Sequence, residues 1–265
     1  MRSIVPHEHR LPRVRANLLG VGIDAIDMPI AVERILADPR ERSRGYVCVT
    51  GVHGIMEAQR DERLRAILNG SFMTTPDGMP TVWIGRAQGR SMSRVYGPDL
   101  MLEVCSAGVA RGVRHFFYGG TEGVAQSLRE RLTARIPGLD VVGVYTPPFR
   151  ALNDAEEREL VKLFDSCQPD IVWVGLSTPK QERFMSSYHR RFRCGLMIGV
   201  GAAFDMHTGR TTQAPKWMQR SGFEWLYRLA TEPRRLWKRY LLNNPAFLCG
   251  IVAQWLHPSR YSLPR

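Results

Sequence analysis

Apolar runs of strand length alternate with longer stretches of helical periodicity through most of the chain. Tyr46–Thr50, Phe72–Thr75, His115–Tyr118, Asp140–Val144, Asp170–Gly175 and Gly195–Val200 read as strands, and helices are expected near 53–68, 80–88, 98–111, 121–135, 154–166 and 179–191. Strands that are almost continuously apolar are buried on both faces, so the alternation predicts a parallel sheet covered by helices on each side. The expected fold is α/β and Rossmann-like. Gly97-Pro98-Asp99 and Asn153-Asp154 carry helix-start signals, with Pro98 at the first helical position.

The pattern changes after about residue 213, where Pro215, Pro233, Pro245 and Pro258 punctuate short amphipathic helices and no further strand is evident. This places a helical appendage at 214–265 behind an α/β catalytic domain at 18–213, with residues 1–17 as a mobile basic tail. Tyr240–Leu256 is the most apolar stretch of the appendage, but Asn243, Asn244, Pro245 and Gln254 interrupt it. It is shorter than the roughly 20 residues that span a bilayer. The expectation is a segment lying on a membrane or packed on the body.

Charge changes the picture more than length does. The 265 residues carry a formal charge of +12, and the stretch from Lys216 onward holds nine Lys and Arg against Glu224 and Glu232. Four of the six tryptophans (Trp217, Trp225, Trp237 and Trp255) fall in the same stretch. Arg and Trp together suit a phosphate-rich partner or a membrane interface, whereas a merely solvated basic face leaves the tryptophans unexplained. The five cysteines are scattered without a C-x-x-C pair, which argues against a disulfide framework or a zinc site and fits a reducing cytoplasm. The basic N-terminal stretch lacks the apolar segment of a secretory signal.

Candidate chemistry gathers at the predicted strand ends, the edge where open α/β sheets bind substrates. Thr74-Thr75-Pro76-Asp77-Gly78-Met79-Pro80 puts a carboxylate on such a turn, so Asp77 is a candidate general base; the alternative is that it only caps the next helix. Tyr118-Gly119-Gly120-Thr121-Glu122-Gly123 can turn backbone amides toward a diphosphate, although a plain strand-to-helix turn explains it equally well. In Ser177-Thr178-Pro179-Lys180-Gln181-Glu182, Ser177 or Thr178 can cap, Lys180 and Gln181 can project over the edge, and Glu182 offsets the helix dipole. Gly199-Val200-Gly201-Ala202-Ala203-Phe204-Asp205 ends the last strand with small residues and a carboxylate. The turns together predict one shared crevice, with Gly119, Gly120, Lys180, Gly201, Asp205 and Arg94 as candidate donor and diphosphate contacts.

Metal and covalent chemistry find little support. His7 and His9 lie in the tail, and the other histidines are isolated, His53 and His207 being weak site candidates near strand ends. No D-x-D, P-loop or G-x-S-x-G is present.

Taken together, Thr50, Arg60-Asp61 through Leu68, Pro76-Asp77-Gly78, Arg94 with Gly97-Pro98-Asp99-Leu100, Gly119-Gly120, Pro179-Lys180-Gln181-Glu182, Gly199 through Asp205 and Ala214-Pro215 resemble the WecG/TagA/CpsF glycosyltransferases. Glu224-Trp225-Leu226-Tyr227-Arg228-Leu229, Glu232-Pro233-Arg234-Arg235-Leu236, Arg239-Tyr240 and Asn244-Pro245 extend the resemblance through the appendage. It implies inverting, metal-independent transfer from a UDP-sugar to a polyprenyl-diphosphate-linked saccharide. The UDP-sugar is a substrate, and no cofactor is implied. The reaction is placed at the inner face of the cell membrane by a cytoplasmic, peripheral enzyme. Its products would feed surface polysaccharides such as exopolysaccharide, common antigen or wall teichoic acid.

By the same resemblance Asp77 is the base, Thr50 lies beside it and Gln181 lines the pocket. Arg228, Arg234, Arg235 and Arg239 would serve the acceptor diphosphate and an anionic membrane surface. Many members carry Asn just after the first shared strand, whereas here the run is Thr50-Gly51-Val52-His53; a side-chain contact to a sugar is then either missing or supplied by His53, which bears on sugar identity. A homo-oligomer is compatible with this reading. The competing classes are a nucleic-acid-binding protein, for which no motif is visible, and a Rossmann oxidoreductase, which should carry the dinucleotide fingerprint.

Overall fold

The computed structural model describes residues 13–38 and 45–264. The first twelve residues, with His7 and His9, lie outside the described residues, as does that part of the expected tail. Residues 13–17 do not behave as tail: β1 (Arg15–Leu18) pairs antiparallel with β2 (Val21–Asp24) in a hairpin. The hairpin is pinned by the fully buried Asp24 carboxylate, which accepts from Arg13 Nε at 2.9 Å and from the Thr74 amide at 2.7 Å. The charged Arg and Asp flanking a short apolar run hid this hairpin from periodicity alone.

After α1 (Met28–Leu36), capped by Asp27, the strand β3 (Gly45–Thr50) leads into α2 (Val52–Arg60). The single helix expected over 53–68 is two, because Asp61 ends α2 and caps α3 (Glu62–Gly70), accepting from the Arg63 and Leu64 amides at 2.9 and 3.2 Å. Next come β4 (Met73–Pro76), α4 (Met79–Ala87), α5 (Gly97–Val109), β5 (Arg114–Gly119), α6 (Val124–Arg135) and β6 (Asp140–Tyr145). Then α7 (Asp154–Cys167), with Asn153 and Glu156 in a reciprocal capping box, precedes β7 (Ile171–Gly175), α8 (Lys180–Tyr188), β8 (Leu196–Gly199) and α9 (Ala203–His207).

The six strands β3 to β8 form one parallel sheet in the order β4-β3-β8-β7-β5-β6. Alternate residues feed two cores. Val47, Val49, Ile171, Trp173 and Ile198 pack with α1, α5, α6 and α9 on one face. On the other, Tyr46, Cys48, Phe116, Val172 and Met197 pack with the hairpin, α2, α3, α7 and α8. Burial on both faces is why these strands read as unbroken apolar runs.

Behind the sheet come α10 (Lys216–Arg220), α11 (Glu224–Thr231), α12 (Pro233–Leu256) and a short 3₁₀ turn at Pro258–Tyr261. Pro245 does not interrupt α12: it sits on the exposed side of a helix of 24 residues. The inner side of α12 buries Leu236, Asn243, Phe247, Ile251 and Gln254. Gln254 stitches α12 to the hairpin, accepting from the Leu19 amide at 2.7 Å and donating to the Asn17 carbonyl at 2.9 Å. Among the described residues no helix is long and apolar enough to cross a membrane.

Candidate active site

A cavity of about 370 Å³ opens over the carboxyl ends of β3, β4, β7 and β8, and α11 and α12 form its far wall. Such a crevice at strand ends is where an open α/β sheet offers the turns and helix N-termini that hold ligands. Asp77, Arg94, Gln181, Gly201, His53, Arg228, Arg235 and Arg239 all line it.

Asp77 follows β4 directly, and its amide donates to the Thr50 carbonyl at 3.0 Å, so the pairing of β3 with β4 sets its position. It does not cap α4: Gly78 occupies the cap position and no side chain bonds the helix amides there. Its Oδ1 is sealed from solvent without a hydrogen-bond partner, while the side chain as a whole keeps 29 % exposure toward the cavity. Burial is the main cause that pushes the Asp77 carboxyl up to about 7, against the pull of Arg94 and with a further push from Glu224. A carboxylate with one oxygen unpartnered and that affinity for a proton is suited to general base work near neutral pH.

Thr50 ends β3 beside Asp77, as expected, but its side chain is buried behind the cavity wall and its Oγ1 has no partner. Gln181 is held by two bonds. Its Oε1 accepts from the Gly201 amide at 3.0 Å, and its Nε2 donates to Glu182 Oε1 at 3.1 Å. The Gly201 N–H is therefore taken up inside the protein. Glu182, read from the sequence as offsetting the helix dipole, is fully buried; burial raises its carboxyl pKa, and it also accepts from Thr178 Oγ1 at 2.8 Å. Neither Ser177 nor Thr178 caps α8 through its side chain; Pro179 stands at that position.

The cationic wall is built mostly by the appendage. Arg94 pairs with Glu224 and lies over the Tyr96 ring at 4.1 Å. Arg228 stands 3.9 Å from Glu232, which Arg235 also binds. The Nε atoms of Arg94, Arg228 and Arg239 are buried without partners. Three buried guanidinium donors converging on one cavity make an anion-binding wall.

His53 joins the site from α2, its Nδ1 3.2 Å from the Asn243 side-chain amide. Burial and the nearby Arg239 lower it to about 4, so it is a neutral imidazole at physiological pH. His207, the other histidine candidate, is half-buried against the Pro98 carbonyl at 3.0 Å and lies outside the cavity.

Five predicted contacts are not brought into this cavity. A Cβ at Gly119 would meet the Gly175 carbonyl oxygen at 2.6 Å, and one at Gly120 would meet Val124 at 2.8 Å. These glycines are required for strand and helix packing at the end of β5. Lys180 points outward from the first turn of α8, and Asp205 lies on α9 outside the lining. Arg234 is exposed on α12 and does not join its neighbour Arg235 in the cavity lining. The expected single crevice thus takes in the turns after β4, β7 and β8 but not the one after β5. Glu224, Glu182 and Asn243 are the site residues whose roles the sequence did not reveal.

The glycosyl transferase WecG/TagA/CpsF family model matches residues 16–261, from the hairpin through α12. The chain belongs to this family. It is a glycosyltransferase by that membership. It is also 30 % identical over 214 residues, 80 % of each chain, to the N-acetylglucosaminyldiphosphoundecaprenol N-acetyl-beta-D-mannosaminyltransferase of Bacillus spizizenii. The protein of the same name from Bacillus subtilis is 29 % identical over 248 residues, covering 93 % of this chain and 90 % of the relative. The match to the family runs through α11 and α12, so the helices that supply the cationic wall belong to the family's own span.

Proposed function

We propose that this glycosyltransferase moves a sugar from a UDP-sugar onto a polyprenyl-diphosphate-linked saccharide, with inversion and without a metal ion, as a peripheral enzyme at the inner membrane face in surface polysaccharide biosynthesis. The observation that carries the reading is the Asp77 carboxylate, whose Oδ1 has no hydrogen-bond partner, facing Arg228, Arg235 and Arg239 across one cavity. In a single displacement the acceptor hydroxyl oxygen bonds to the anomeric carbon as the bond to the diphosphate oxygen breaks. Asp77 takes the hydroxyl proton, and UDP leaves from the opposite face of the sugar.

Two anions have to be held: the leaving UDP and the acceptor diphosphate. Arg94 stands beside the base, hence on the acceptor side of such a displacement, and is already paired with Glu224, while Arg228, Arg235 and Arg239 approach from the appendage side as the cations available to the diphosphates. The cationic side chains of the wall support the metal-independent reading, the Glu224 carboxylate of the cavity being already paired with Arg94. The relatives' printed name specifies a lipid-diphosphate-linked N-acetylglucosamine acceptor, which fits a cavity with a basic wall.

The membrane part of the reading rests on the outer side of α12. Leu241, Val252 and Trp255 are 58, 53 and 61 % exposed, next to the basic Arg234 and Lys238. Apolar side chains with flanking cations suit the surface of an anionic bilayer.

The deciding experiment incubates the protein with a panel of UDP-sugars and a synthetic polyprenyl-diphosphate N-acetylglucosamine. The expected result is UDP release coupled to a lipid-linked disaccharide with one donor. Absence of transfer from every UDP-sugar, with transfer from another nucleotide sugar, would overturn the donor assignment.

A further inference from the structure

We infer that Glu224, carried by α11, is a positioning residue for the base: it competes with Asp77 for Arg94 and keeps the Asp77 carboxylate out of a closed ion pair. The inference rests on the proposed role of Asp77 and goes beyond it by assigning part of the base's tuning to the appendage.

The geometry is a three-body one. Arg94 Nη2 binds Glu224 Oε2 in a short ion pair and stands 3.9 Å from Asp77 Oδ1, too far for a hydrogen bond. Stacking on Tyr96 at 4.1 Å and a long contact from Nη1 to the Gln219 carbonyl at 3.5 Å restrict how far the guanidinium can swing. Both carboxylates therefore draw on one donor, and Glu224 has it. An aspartate gripped by an arginine gives its lone pairs to N–H donors and is a poor base. Here the Asp77 Oδ1 stays without a partner.

Every charged group that faces Asp77 fits this account. Arg94 and Tyr96 approach from the segment before α5, with the Gly97 amide; Glu224 and Arg228 come from α11, and Arg239 from α12. The arginines favour the ionised form and Glu224 opposes it, both directly and by neutralising Arg94. Glu224 can stand there because the turn leading into α11 packs on α4, the helix that Asp77 precedes. Gly222, at φ +78°, lies so close to Trp83 that a Cβ would come within 2.5 Å of the ring. Docking of α11 and availability of the base are thus one event.

The test is the pH dependence of kcat/KM in Glu224→Gln, read with a carbon-13 carboxyl titration of Asp77 assigned through Asp77→Asn. The acid limb and the carboxyl midpoint should both move down by at least about one pH unit, and the alkaline plateau should fall about tenfold as the base weakens. Glu224→Asp, which keeps the charge, should hold both midpoints close to wild type. If Glu224→Gln does not fold, Gly222→Ala keeps every charge but displaces α11, and the same downward shift is expected. A reduced rate with unmoved midpoints would make Glu224 a structural residue and overturn the inference. Failure of the underlying reading looks different: Asp77→Asn would then keep its turnover and its acid limb, whatever the carboxyl titration shows.

Discussion

His53 Nδ1 lies 3.2 Å from the Asn243 side-chain amide, tying α2, which follows β3, directly to α12. The Asn243 oxygen in turn accepts from Arg60 at 2.8 Å. Asn243 is buried on the inner side of α12, so this small polar network sets how the helix closes over the strand ends. The neutral histidine supplies a polar, uncharged contact at this junction.

Asp77→Asn should keep the fold and donor binding while lowering kcat by about 10²- to 10⁴-fold, the usual contribution of a positioned acid–base group. The check is turnover at saturating donor and acceptor, with donor affinity measured by calorimetry. Near-normal turnover would remove Asp77 from the chemistry.

The strands were legible because burial on both faces writes itself into the sequence as unbroken apolar runs such as Val172 to Val174. The place of Asp77 at a strand end was legible too, but the alternative that it only caps the next helix fell only once the fold put Gly78 at the cap position. Glu182 and Glu224 were not. One looks like an ordinary acidic residue in a helix's first turn and the other like part of a charged helix face. Their roles come from Thr178, Gln181 and Arg94, partners that only the fold brings close. The glycines of the turn after β5 misled for the opposite reason: close backbone packing and close ligand approach both demand a missing Cβ.

The pH dependence follows from the Asp77 carboxyl lying near 7. Below that the base is protonated and idle, so log kcat/KM should rise with unit slope toward pH 7 and level above it. Stability runs the other way. A carboxyl whose folded pKa is raised binds its proton more tightly in the folded state, so its contribution is fully present below about pH 4 and is lost as pH rises through 7. Asp77→Asn should therefore have the higher melting temperature at pH 8, with the gap to wild type narrowing as pH falls toward 4. A gap that does not depend on pH would show that Asp77 titrates normally.

The appendage arginines should separate by position. Arg228→Ala and Arg239→Ala remove buried guanidinium groups from the cavity wall and should raise the acceptor KM about tenfold or more, given the roughly 1.5–3 kcal/mol of a hydrogen bond to a charged group. Donor affinity should change little. Arg234→Ala, outside the cavity, should leave KM for a short-chain, water-soluble acceptor within about twofold. Equal losses at all three positions would point to general electrostatics in place of a built anion site.

Turnover should survive EDTA, because the cavity offers Arg228, Arg235 and Arg239 to the diphosphates while its two carboxylates both face Arg94, Glu224 in an ion pair and Asp77 at 3.9 Å. The measurement is UDP release with and without chelator in metal-free buffer. Loss of activity that Mg²⁺ or Mn²⁺ restores would require the substrate's phosphates to bring a metal into the site.

Membrane docking should depend on the outer side of α12 without involving the chemistry. Leu241, Val252 and Trp255 recur at helical spacing on that side and are more than half exposed, and none of them lines the cavity. Full burial of side chains this size stabilises by about 1.5–3 kcal/mol each, so losing even half of that at three positions weakens binding by more than about tenfold. The triple serine variant should accordingly release from phosphatidylglycerol vesicles in a sedimentation assay, whereas wild type should stay bound and loosen as salt screens its basic flank. With a short-chain, water-soluble acceptor the variant should turn over at the wild-type rate, since the cavity is intact. With the acceptor embedded in vesicles its rate should fall in step with binding. A variant that binds vesicles like wild type would assign this apolar surface to another partner. One that fails on the soluble acceptor would show that the outer side of α12 also shapes the site.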